Sequence, residues 1–472
     1  MMTTPIAPIR SAADLRTRRA IVLGLARSGV AAARFLVDQG ATVTVYDRRP
    51  AADLADAVAA LGDRRVRLAL GVTEAEATDL LGDADLLVTS PSVSARFPTT
   101  DPWLRDALRA AEARGTEIVS EVGLFLRLAR CRILGVTGTK GKTTSTALVA
   151  AMLETARIPS MTGGNIGTPL IERALELGPD DWAVLELSEL QLPTIARGAD
   201  VALYTNIGAD HLDRHGTVEG YRAVKARLAE LSVPTGRIVL NHDDAGSREL
   251  GDRLPPASVS WYGLDPDPAL VGGLDDAGWV TLDGERLLPA DDVPLPGRHM
   301  LANAVGAAVA ARWAGADRQA IAQAIRDFAG VAHRLETVAE RGGIRWVNDS
   351  QATIPVAAIA ALHAFDAPIV VIAGGQGKGL EYVEFADAIA ARCRAAVLIG
   401  ETAGELERLI AGRVPAQRAG SMGEAVEVAA GLASAGDVVV LAPAAASFDM
   451  FVDYAARGDA FRAAVAGLGH DR

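Results

Sequence analysis

The sequence is short of cysteine and of positive charge, and it has no long apolar run. Its two cysteines, Cys131 and Cys393, lie too far apart to indicate a metal motif and are too few for a disulfide framework. We therefore expect a reducing compartment and a cytoplasmic protein. The net charge of -12 argues against nucleic acid as a partner, because broad binding to phosphate backbones requires positive charge. No apolar run approaches the roughly 20 residues of a membrane span, so we expect no membrane partner.

Short apolar segments rich in β-branched residues alternate with segments of helical period along the chain. Strands that are apolar throughout and separated by helices are typical of parallel sheets covered on both faces. The predicted strands are RAIVLGL, ATVTVYD, ADLLVTS, RILGVTG, WAVLELS, VALYTNI, RIVLN, PIVVIAGG, AAVLIG and DVVVLAP. The predicted class is α/β. Because only 9 Phe, 6 Tyr and 6 Trp supply aromatic bulk, the cores should be aliphatic.

Three glycine-rich turns divide the chain into three units, in line with the roughly 150 residues of an average domain. The turns follow strands that end near Leu23, Val136 and Ala373. A break near Arg130 precedes a fresh strand, and a proline-rich, strand-poor stretch from about 255 to 296 separates the second unit from the third. We expect domains at residues 1–130, 131–296 and 297–472.

The second glycine-rich turn has the chemistry of a phosphate-binding loop. It joins the strand RILGVT to the helical segment STALVAAML. Glycines let backbone N–H groups approach phosphate oxygens, Lys142 reaches the terminal phosphates, and Thr143 offers a hydroxyl to Mg²⁺. Val136 stands where the strict motif has its first glycine, so the loop is a variant, and the alternative is a tight structural turn. The predicted ATP-binding residues of the loop are Gly138, Thr139, Lys140, Gly141, Lys142, Thr143 and Thr144.

The first glycine-rich turn, Gly24–Gly29, is less specific. It follows a strand, and Asp47 ends the next strand, as in a dinucleotide-binding fingerprint, but Ala26 replaces the middle glycine. An NAD site, another nucleotide site and a structural turn all remain open. Arg48 and Arg49 favour a ligand with additional phosphate.

The third turn, Gly374–Gly379, follows the strand PIVVIA. It looks like a second phosphate loop, but no Ser or Thr follows Lys378. We interpret it as a structural turn whose lysine is a candidate to line a cleft.

Several ionisable residues follow the strands that flank the phosphate loop. Glu186 ends a buried strand, where open α/β sheets present ligands, and His211 follows the next strand. Tyr221 and Lys225 lie one helical turn apart. The hydroxyl of Thr143, the carboxylate of Glu186 and the ring of His211 together predict an octahedral Mg²⁺ site. Taken singly, His211 and Lys225 are more simply a solvated loop histidine and a surface lysine.

The motifs together resemble the Mur ligases of peptidoglycan synthesis, which are ATP-dependent amide-forming enzymes, and among them the ligases that add glutamate. The resemblance covers nearly the whole chain and is carried by GLARSG, GVTGTKGKTT, GGNIGTP, ELSELQL, NIGADHLDRHG, YRAVKARL, PGRHMLANA, HRLE, NDSQATIP, GGQGKG and LAPAAASFDMFVDYAARGDAF. It implies a Rossmann-like N-terminal domain that binds UDP, a P-loop ATPase-type central domain and a Rossmann-like C-terminal domain that binds the amino acid.

The resemblance also implies substrates, cofactors and residue roles. The implied substrates are UDP-N-acetylmuramoyl-L-alanine, glutamate and ATP. ATP converts the carboxylate of the first into an acyl phosphate, which then reacts with glutamate. Two Mg²⁺ ions are implied as cofactors. Thr143 and Glu186 would hold one ion and His211 the second. Lys225 occupies the position that family members carbamylate, which turns a cation into a carboxylate-like ligand. Asn165 resembles the residue near the ATP phosphates or the carbonyl, and Lys142 completes the catalytic set.

The remaining implied contacts lie in the outer domains and around the nucleotide. Those to adenine, phosphate and ribose are Asn303, Arg334 and Asp349. The residues that face UDP are Arg27, Ser28, Asp47, Arg48 and Arg49, with Ser90–Ser92 departing from the usual SPG. The glutamate pocket consists of Gln351, Thr353, Ser447, Phe448 and Tyr454.

Four substitutions depart from the glutamate-adding pattern. Gln351 stands where a lysine is usual and Ile354 where an asparagine is usual, and Glu189 and Leu190 alter the ELSSFQL motif. A neutral glutamine makes a weaker contact to a dianionic amino acid than a charged lysine does. We therefore lean towards L-glutamate as the added amino acid, with an epimerase acting on the product. The alternative is D-glutamate.

Three other classes compete with this interpretation. A folylpolyglutamate synthase shares the central machinery but lacks a UDP-type domain before it, and here the phosphate loop begins only near residue 135. An NAD-dependent dehydrogenase would use the first turn. A non-catalytic nucleotide-binding protein is the third alternative, and retention of Lys142, Glu186, His211 and Lys225 favours catalysis over it.

Overall fold

Three β-sheets, each flanked by helices, make up the structure. The computed structural model describes residues 9–97, 99–295, 297–377 and 379–468. All ten predicted strands are present, most of their pairs are parallel, and the predicted α/β class with three domains is confirmed. The chain divides into two compact units, the first ending at Phe328 with two of the sheets and the second beginning at Ala329 with the third.

The first sheet has five parallel strands in the order β3-β2-β1-β4-β5. Its strands are β1 (Arg19–Leu23), β2 (Thr42–Asp47), β3 (Val66–Leu70), β4 (Leu86–Thr89) and β5 (Glu117–Ser120). The helices around it are α1 (Arg27–Asp38), α2 (Ala55–Ala59), α3 (Glu74–Gly82), α4 (Pro102–Ala113) and α5 (Glu121–Leu128). The strand order reverses between β1 and β4, which is where Rossmann-like sheets bind their ligands.

The second sheet has nine strands in the order β14-β13-β12-β11-β10-β9-β6-β8-β7. The strands are β6 (Arg132–Thr137), β7 (Ser160–Gly164), β8 (Trp182–Glu186), β9 (Val201–Tyr204), β10 (Arg237–Asn241), β11 (Val259–Tyr262), β12 (Leu270–Leu274), β13 (Trp279–Leu282) and β14 (Glu285–Pro289). Its helices are α6 (Lys142–Thr155), α7 (Leu212–His215), α8 (Val218–Ser232), α9 (Ala245–Gly251), α10 (Arg298–Trp313) and α11 (Arg318–Asp327). The β12–β13 and β13–β14 pairs are antiparallel, and the other pairs of this sheet are parallel.

The stretch from 255 to 296 is not poor in strands, and that prediction was wrong. It carries β11 to β14, which are short strands separated by turns. Asp283 and Gly284 both have positive φ, 55° and 78°, and close the β13–β14 hairpin. An Asp-Gly pair between two segments of alternating hydrophobicity indicates a β-hairpin, even where the strands are as short as these. Because α10 and α11 pack on α6, residues up to Phe328 belong with the second sheet, beyond the boundary predicted at 296.

The third sheet has six strands in the order β15-β16-β20-β17-β18-β19, with only β15 antiparallel. The strands are β15 (Glu336–Arg341), β16 (Ile344–Asn348), β17 (Ile369–Gly374), β18 (Cys393–Ile399), β19 (Ala416–Arg418) and β20 (Val438–Leu441). The helices are α12 (Pro355–Leu362), α13 (Val383–Arg392), α14 (Ala403–Ile410), α15 (Met422–Leu432) and α16 (Tyr454–Gly467).

The cores are mainly aliphatic, as the composition predicted. One continuous buried cluster runs from Ile9 to Leu254 and joins the first two sheets, which explains why they form a single unit. Cys131 and Cys393 are both free. Among the helices of the described ranges, none combines the length and the apolar character that crossing a membrane requires.

Candidate active site

The phosphate loop has the predicted strand–loop–helix form. β6 ends at Thr137 and α6 begins at Lys142, with Gly141 at the helix N-cap. Gly141 has a φ of 86°, and a Cβ there would lie 2.6 Å from the side-chain oxygen of Asn303. This close approach requires glycine and brings Asn303 against the loop. Glycine has no side chain to cap the helix, so the start of α6 lies directly behind the loop, where helix N-termini favour anionic ligands.

The two lysines of the loop point in different directions. Lys142 Nζ donates to the carbonyl oxygens of Gly138 and Thr139, at 3.0 and 2.9 Å, so its ammonium folds over the loop. Lys140 Nζ lies 3.1 Å from a carboxylate oxygen of Asp210. Thr143 and Thr144 are buried in the first turn of α6.

Glu186 lies at the same edge of the sheet as the loop. Glu186 is the last residue of β8, which pairs parallel with β6, and in this register Glu186 lies opposite Val136. Its side chain is buried, and Oε1 accepts a hydrogen bond of 2.8 Å from Asn165 Nδ2. Oε2 has no hydrogen-bond partner within the described part of the chain. A buried carboxylate oxygen left open in this way is unfavourable unless a cation or another donor meets it.

Lys225 is a buried residue and not the surface lysine of the simpler interpretation. Its exposure is 0%, and Nζ donates to the carbonyl of Gly138 at 2.9 Å and to Thr137 Oγ1 at 3.2 Å. Across residues 9–468, as far as they are described, no carboxylate forms an ion pair with it. Burial, aided by the charge of Lys142, lowers the pKa of Lys225 to about 7. The spacing of Tyr221 and Lys225 predicted that both lie on one helix, which is α8, but it did not indicate that Lys225 is buried.

His211 and Glu189 meet beside this loop. His211 has a φ of 50°, its side chain is 45% exposed, and Nε2 lies 3.5 Å from Glu189 Oε1. Glu189 itself is buried. Tyr221 Oη donates to Thr139 Oγ1 at 3.2 Å, and its ring lies beside the Lys225 ammonium. The predicted set of loop, strand ends and helix therefore comes together at one edge of the second sheet.

The donor set suits a magnesium ion that arrives with phosphate. Mg²⁺ is usually held by one or two carboxylates together with phosphate oxygens and waters. The hydroxyl of Thr143, the open oxygen of Glu186 and the ring of His211 supply donors of this kind. Within the described ranges, no group of three or more His, Cys, Asp or Glu side chains is arranged to hold a metal by itself. The residues present thus fit a cation whose coordination is completed by a nucleotide.

A second candidate site is a cavity of about 480 Å³ above the ends of β1 and β4. Ser28, Asp47, Arg48 and Arg49, which the resemblance assigns to UDP, line it. Arg27 is exposed and is not among the lining residues. The lining also includes Ser90, Pro91, Ser92, Trp103, Glu121 and Arg214.

Asp47 in this cavity is held entirely by the protein. Its carboxylate accepts hydrogen bonds from the backbone N–H groups of Leu25 and Arg49, at 2.9 and 3.0 Å, and from the Arg49 guanidinium at 2.9 and 3.1 Å. Burial alone would raise the pKa of Asp47, but these hydrogen bonds outweigh it and hold the pKa below its ordinary value. The carboxylate of a dinucleotide site must instead accept from a ribose. This geometry counts against an NAD site.

Arg334 and Asp349 lie in the second compact unit, close to one another. Leu335 N donates to Asp349 Oδ1 at 3.0 Å, and burial raises the pKa of Asp349 to about 6, although this hydrogen bond and the charge of Arg334 oppose the rise. Arg334 itself is exposed.

Four of the predicted glutamate-pocket residues lie on two loops of this unit, and the fifth, Tyr454, begins α16. Ser447 is buried and Phe448 is 66% exposed, while Gln351, Thr353 and Tyr454 are half-buried. The loops are tied together by a residue that the sequence reasoning missed.

That residue is Arg457, which is 1% exposed. Its guanidinium donates to the hydroxyl and carbonyl of Ser350 and to the carbonyls of Ala445 and Ala446, at 2.9 to 3.1 Å. Burial lowers the pKa of Arg457 to about 10. Only its place in the motif YAARGDAF offered a signal.

The third glycine-rich turn packs closely against the backbone. A Cβ on Gly375 would lie 2.1 Å from the carbonyl oxygen of Ala446, and Gln376 forms a β-bridge with Ala446. This packing supports the structural interpretation of the turn. Lys378, the candidate cleft lysine, lies outside the described residues.

Comparison with known proteins agrees with this arrangement. Residues 18–120 match the Mur ligase MurD-like N-terminal domain, residues 136–311 the Mur ligase middle domain, and residues 333–445 the Mur ligase glutamate ligase domain. The chain is 39% identical over 456 residues to a UDP-N-acetylmuramoylalanine--D-glutamate ligase of Solibacter usitatus (strain Ellin6076), covering 95% of this chain and 98% of that protein. It is 41% identical over 471 residues to the enzyme of the same name from Anaeromyxobacter dehalogenans (strain 2CP-C), covering 96% and 98%.

Among solved structures, the chain resembles UDP-N-acetylmuramate-alanine ligase MurC from Thermotoga maritima. The TM-score is 0.55 at 19% identity, over 96% of this chain and 100% of that chain, which supports the fold alone. The full-length similarity to the curated relatives goes further, and this chain belongs to the Mur ligase family of ATP-dependent ligases. The dehydrogenase alternative does not fit this family, and the match of residues 18–120 argues against a folylpolyglutamate synthase.

Proposed function

We propose that this protein joins D-glutamate to UDP-N-acetylmuramoyl-L-alanine in an ATP-dependent reaction of peptidoglycan precursor synthesis. The observation that carries the proposal is the end-to-end similarity to enzymes named for D-glutamate. The leaning towards L-glutamate is not supported by these relatives. Its physical basis was weak, because exchanging a lysine for Gln351 changes the strength of a contact and does not by itself select one mirror image. With D-glutamate no epimerase is needed as a partner.

The reaction proceeds in two substitutions. The carboxylate of the UDP-linked substrate attacks the γ-phosphorus of ATP, ADP leaves, and an acyl phosphate forms. The amine of glutamate then attacks the acyl carbon, phosphate leaves, and the amine loses a proton. Neither step needs a covalent bond to the protein, whose part is to position the reactants and stabilise developing negative charge.

The phosphate loop, residues 138–144, supplies the groups for ATP in this proposal. The phosphates would be faced by the backbone N–H groups of the first turn of α6 and by the ammonium of Lys142. These groups neutralise charge as the γ-phosphoryl group is transferred. Asn165 donates a hydrogen bond to Glu186, and its proposed place near the ATP phosphates or the carbonyl stays a prediction. The contacts proposed for Asn303, Arg334 and Asp349 to adenine, phosphate and ribose stay predictions.

When bound, Mg²⁺ would neutralise charge on the phosphate oxygens and orient the γ-phosphoryl group for attack on its phosphorus. Thr143 and Glu186 are the proposed ligands of one ion and His211 of the other. The open Oε2 of Glu186 supports this role because it is a buried acceptor with no other partner in the described chain.

Carbamylation of Lys225 is a further part of the proposal. The modification requires an uncharged amine, and the complete burial of Lys225 away from any paired carboxylate favours that form. It would convert the side chain into an anion that can ligate a cation. Incorporation of ¹³CO₂ into a lysine carbamate, followed by ¹³C NMR, tests this step.

The cavity above β1 and β4 is the proposed site for the UDP group. Arg48 and Arg49 supply positive charge at its wall, and Ser28 and Ser90 supply hydroxyls. For the exposed Arg27 the UDP contact stays a prediction, as does the cytoplasmic location.

The proposed activity is tested by ADP release with purified protein, ATP and Mg²⁺. Release should require both UDP-N-acetylmuramoyl-L-alanine and D-glutamate, and Lys142→Ala should abolish it. ADP release that is independent of the muramoyl substrate would contradict the proposal, as would binding of the nucleotide without turnover.

A further inference from the structure

Glu189 is a buried carboxylate beside the phosphate loop to which the site described above assigns no task. It lies three residues after Glu186, in the turn that follows β8. The turn is clamped by Gln191, whose Oε1 accepts hydrogen bonds from the backbone N–H and the hydroxyl of Ser188, at 3.0 and 3.1 Å. Glu189 is only 6% exposed. Its carboxylate is therefore buried in a turn that hydrogen bonds hold at the edge of the sheet.

The Glu189 carboxylate lacks an ordinary partner. In the described ranges, its one ion-pair contact is His211, with Nε2 at 3.5 Å from Oε1, and it accepts no hydrogen bond. That separation is longer than the usual 2.7 to 3.2 Å of an N–H···O bond. A buried anion in this state is unfavourable unless a cation compensates it. Glu186 Oε2, three residues earlier, is a second buried carboxylate oxygen without a partner in the same part of the molecule.

We propose that Glu189 is a ligand of the divalent cation that His211 binds. On an octahedral Mg²⁺ with bonds of roughly 2.1 Å, neighbouring ligand atoms lie about 3 Å apart. The gap between Glu189 Oε1 and His211 Nε2 is close to this spacing, so a small adjustment brings both atoms onto one ion. The inference deepens the proposed function and rests on it, because it concerns the metal of the same site.

A carboxylate at this position has a consequence for the site. Glu189 adds a fixed negative charge next to His211, so that the cation is held by a charged protein ligand as well as by a neutral ring. Because this charge is part of the sequence, it is present whether or not Lys225 is carbamylated. Binding of the second cation should therefore persist when bicarbonate is removed.

The test uses Mn²⁺ as the probe, added to the full chain with a non-hydrolysable ATP analogue, and counts bound ions by the EPR signal of free Mn²⁺. The unsubstituted protein should bind two ions. Glu189→Gln should weaken one of them about tenfold or more and leave the other unchanged. Glu219→Gln, which removes an exposed carboxylate from the first turn of α8, is the matched control and should change neither.

A double-mutant cycle with His211→Ala identifies the ion that is affected. If Glu189 and His211 hold the same ion, the two substitutions together should weaken it much less than the product of the single effects. Independent effects in the cycle would overturn the inference, and so would unchanged Mn²⁺ affinity in a Glu189→Gln protein that still binds the nucleotide analogue. Weakened Mn²⁺ binding in a protein that does not ligate D-glutamate would sustain the inference and reject the proposed function.

Discussion

Asp47 and Glu186 both end buried strands beside a glycine-rich turn, yet the hydrogen bonding of their carboxylates differs. Asp47 accepts four hydrogen bonds from Leu25 and Arg49, and its negative charge is paired within the protein. Glu186 accepts one from Asn165 and leaves Oε2 open. In the same strand–turn–helix topology, the carboxylate at the first sheet has all its partners within the protein. The carboxylate at the second sheet has an oxygen that remains for a ligand.

This difference distinguishes a carboxylate that stabilises the fold from one that serves a ligand site. A satisfied buried carboxylate contributes to stability, and its loss leaves donors without acceptors. A buried carboxylate with an oxygen that has no partner lowers stability and indicates a site that a ligand completes. The buried amine of Lys225, which has no paired carboxylate, indicates such a site in the same way. Substitutions at the first kind of site should therefore act mainly on folding and those at the second kind mainly on turnover.

Lys225→Ala should have the largest effect, a loss in kcat of at least about 1000-fold, because it removes both the buried amine and the proposed carbamate. Stability should also fall, because the substitution leaves a buried cavity and removes the donor to the Gly138 carbonyl and to Thr137 Oγ1. Added short carboxylates such as acetate should restore part of the rate by occupying the vacated space. Lys225→Arg, which fills the space and cannot be carbamylated, should not respond to acetate. An unaltered rate in Lys225→Ala would remove Lys225 from the site.

Glu186→Gln should lower kcat by about 100-fold while stability is unchanged or slightly higher. The amide keeps an oxygen for Asn165 and removes the unpaired buried charge. Steady-state kinetics and urea unfolding of the same preparations check both halves of this expectation. A large loss of stability together with activity would break the contrast with Asp47.

Glu121 is an intermediate case, since it accepts a backbone hydrogen bond from Ile171 at 3.0 Å but is almost completely buried. Burial raises its pKa from 4.5 to about 7. Below pH 4.5 the side chain is protonated in the folded and unfolded states alike. Between pH 4.5 and 7 the unfolded state releases the proton first, so the free energy of unfolding falls as the pH rises.

Glu121→Gln should remove this dependence and raise the free energy of unfolding at pH 8 by at most about 3 kcal/mol. Urea unfolding at pH 5 and pH 8 measures it. Equal stability differences between variant and parent at the two pH values would show that Glu121 titrates normally.

Asp47→Asn should lower the free energy of unfolding by about 2 kcal/mol, because charge-assisted hydrogen bonds from Arg49 are lost and one amide hydrogen faces a donor. The KM for the UDP-linked substrate should rise as Arg49 loses its anchor. A variant as stable as the parent would mean that the four hydrogen bonds hold the cavity without stabilising the fold.

The sequence predicted the buried strands and the phosphate loop because continuous apolar runs and glycine spacing are local signals. It missed edge strands such as β3 and β19, whose residues are partly exposed and do not form apolar runs. In the site, Glu186 and His211 could be found since strand ends converge at one edge of a parallel sheet. Arg457 could not, because its hydrogen bonds to Ser350 span 107 residues and depend on the packed fold. Its burial is a tertiary property that no local pattern encodes.

The most direct test of the account is a competition between the two mirror images of glutamate. The protein receives ATP, Mg²⁺, UDP-N-acetylmuramoyl-L-alanine and an equimolar mixture of unlabelled D-glutamate and ¹⁵N-labelled L-glutamate, and the mass of the product is measured. The product should have the unlabelled mass, because D-glutamate is the amino acid expected to be ligated. A product carrying ¹⁵N, or no ligated product in a preparation that binds ATP, would contradict it.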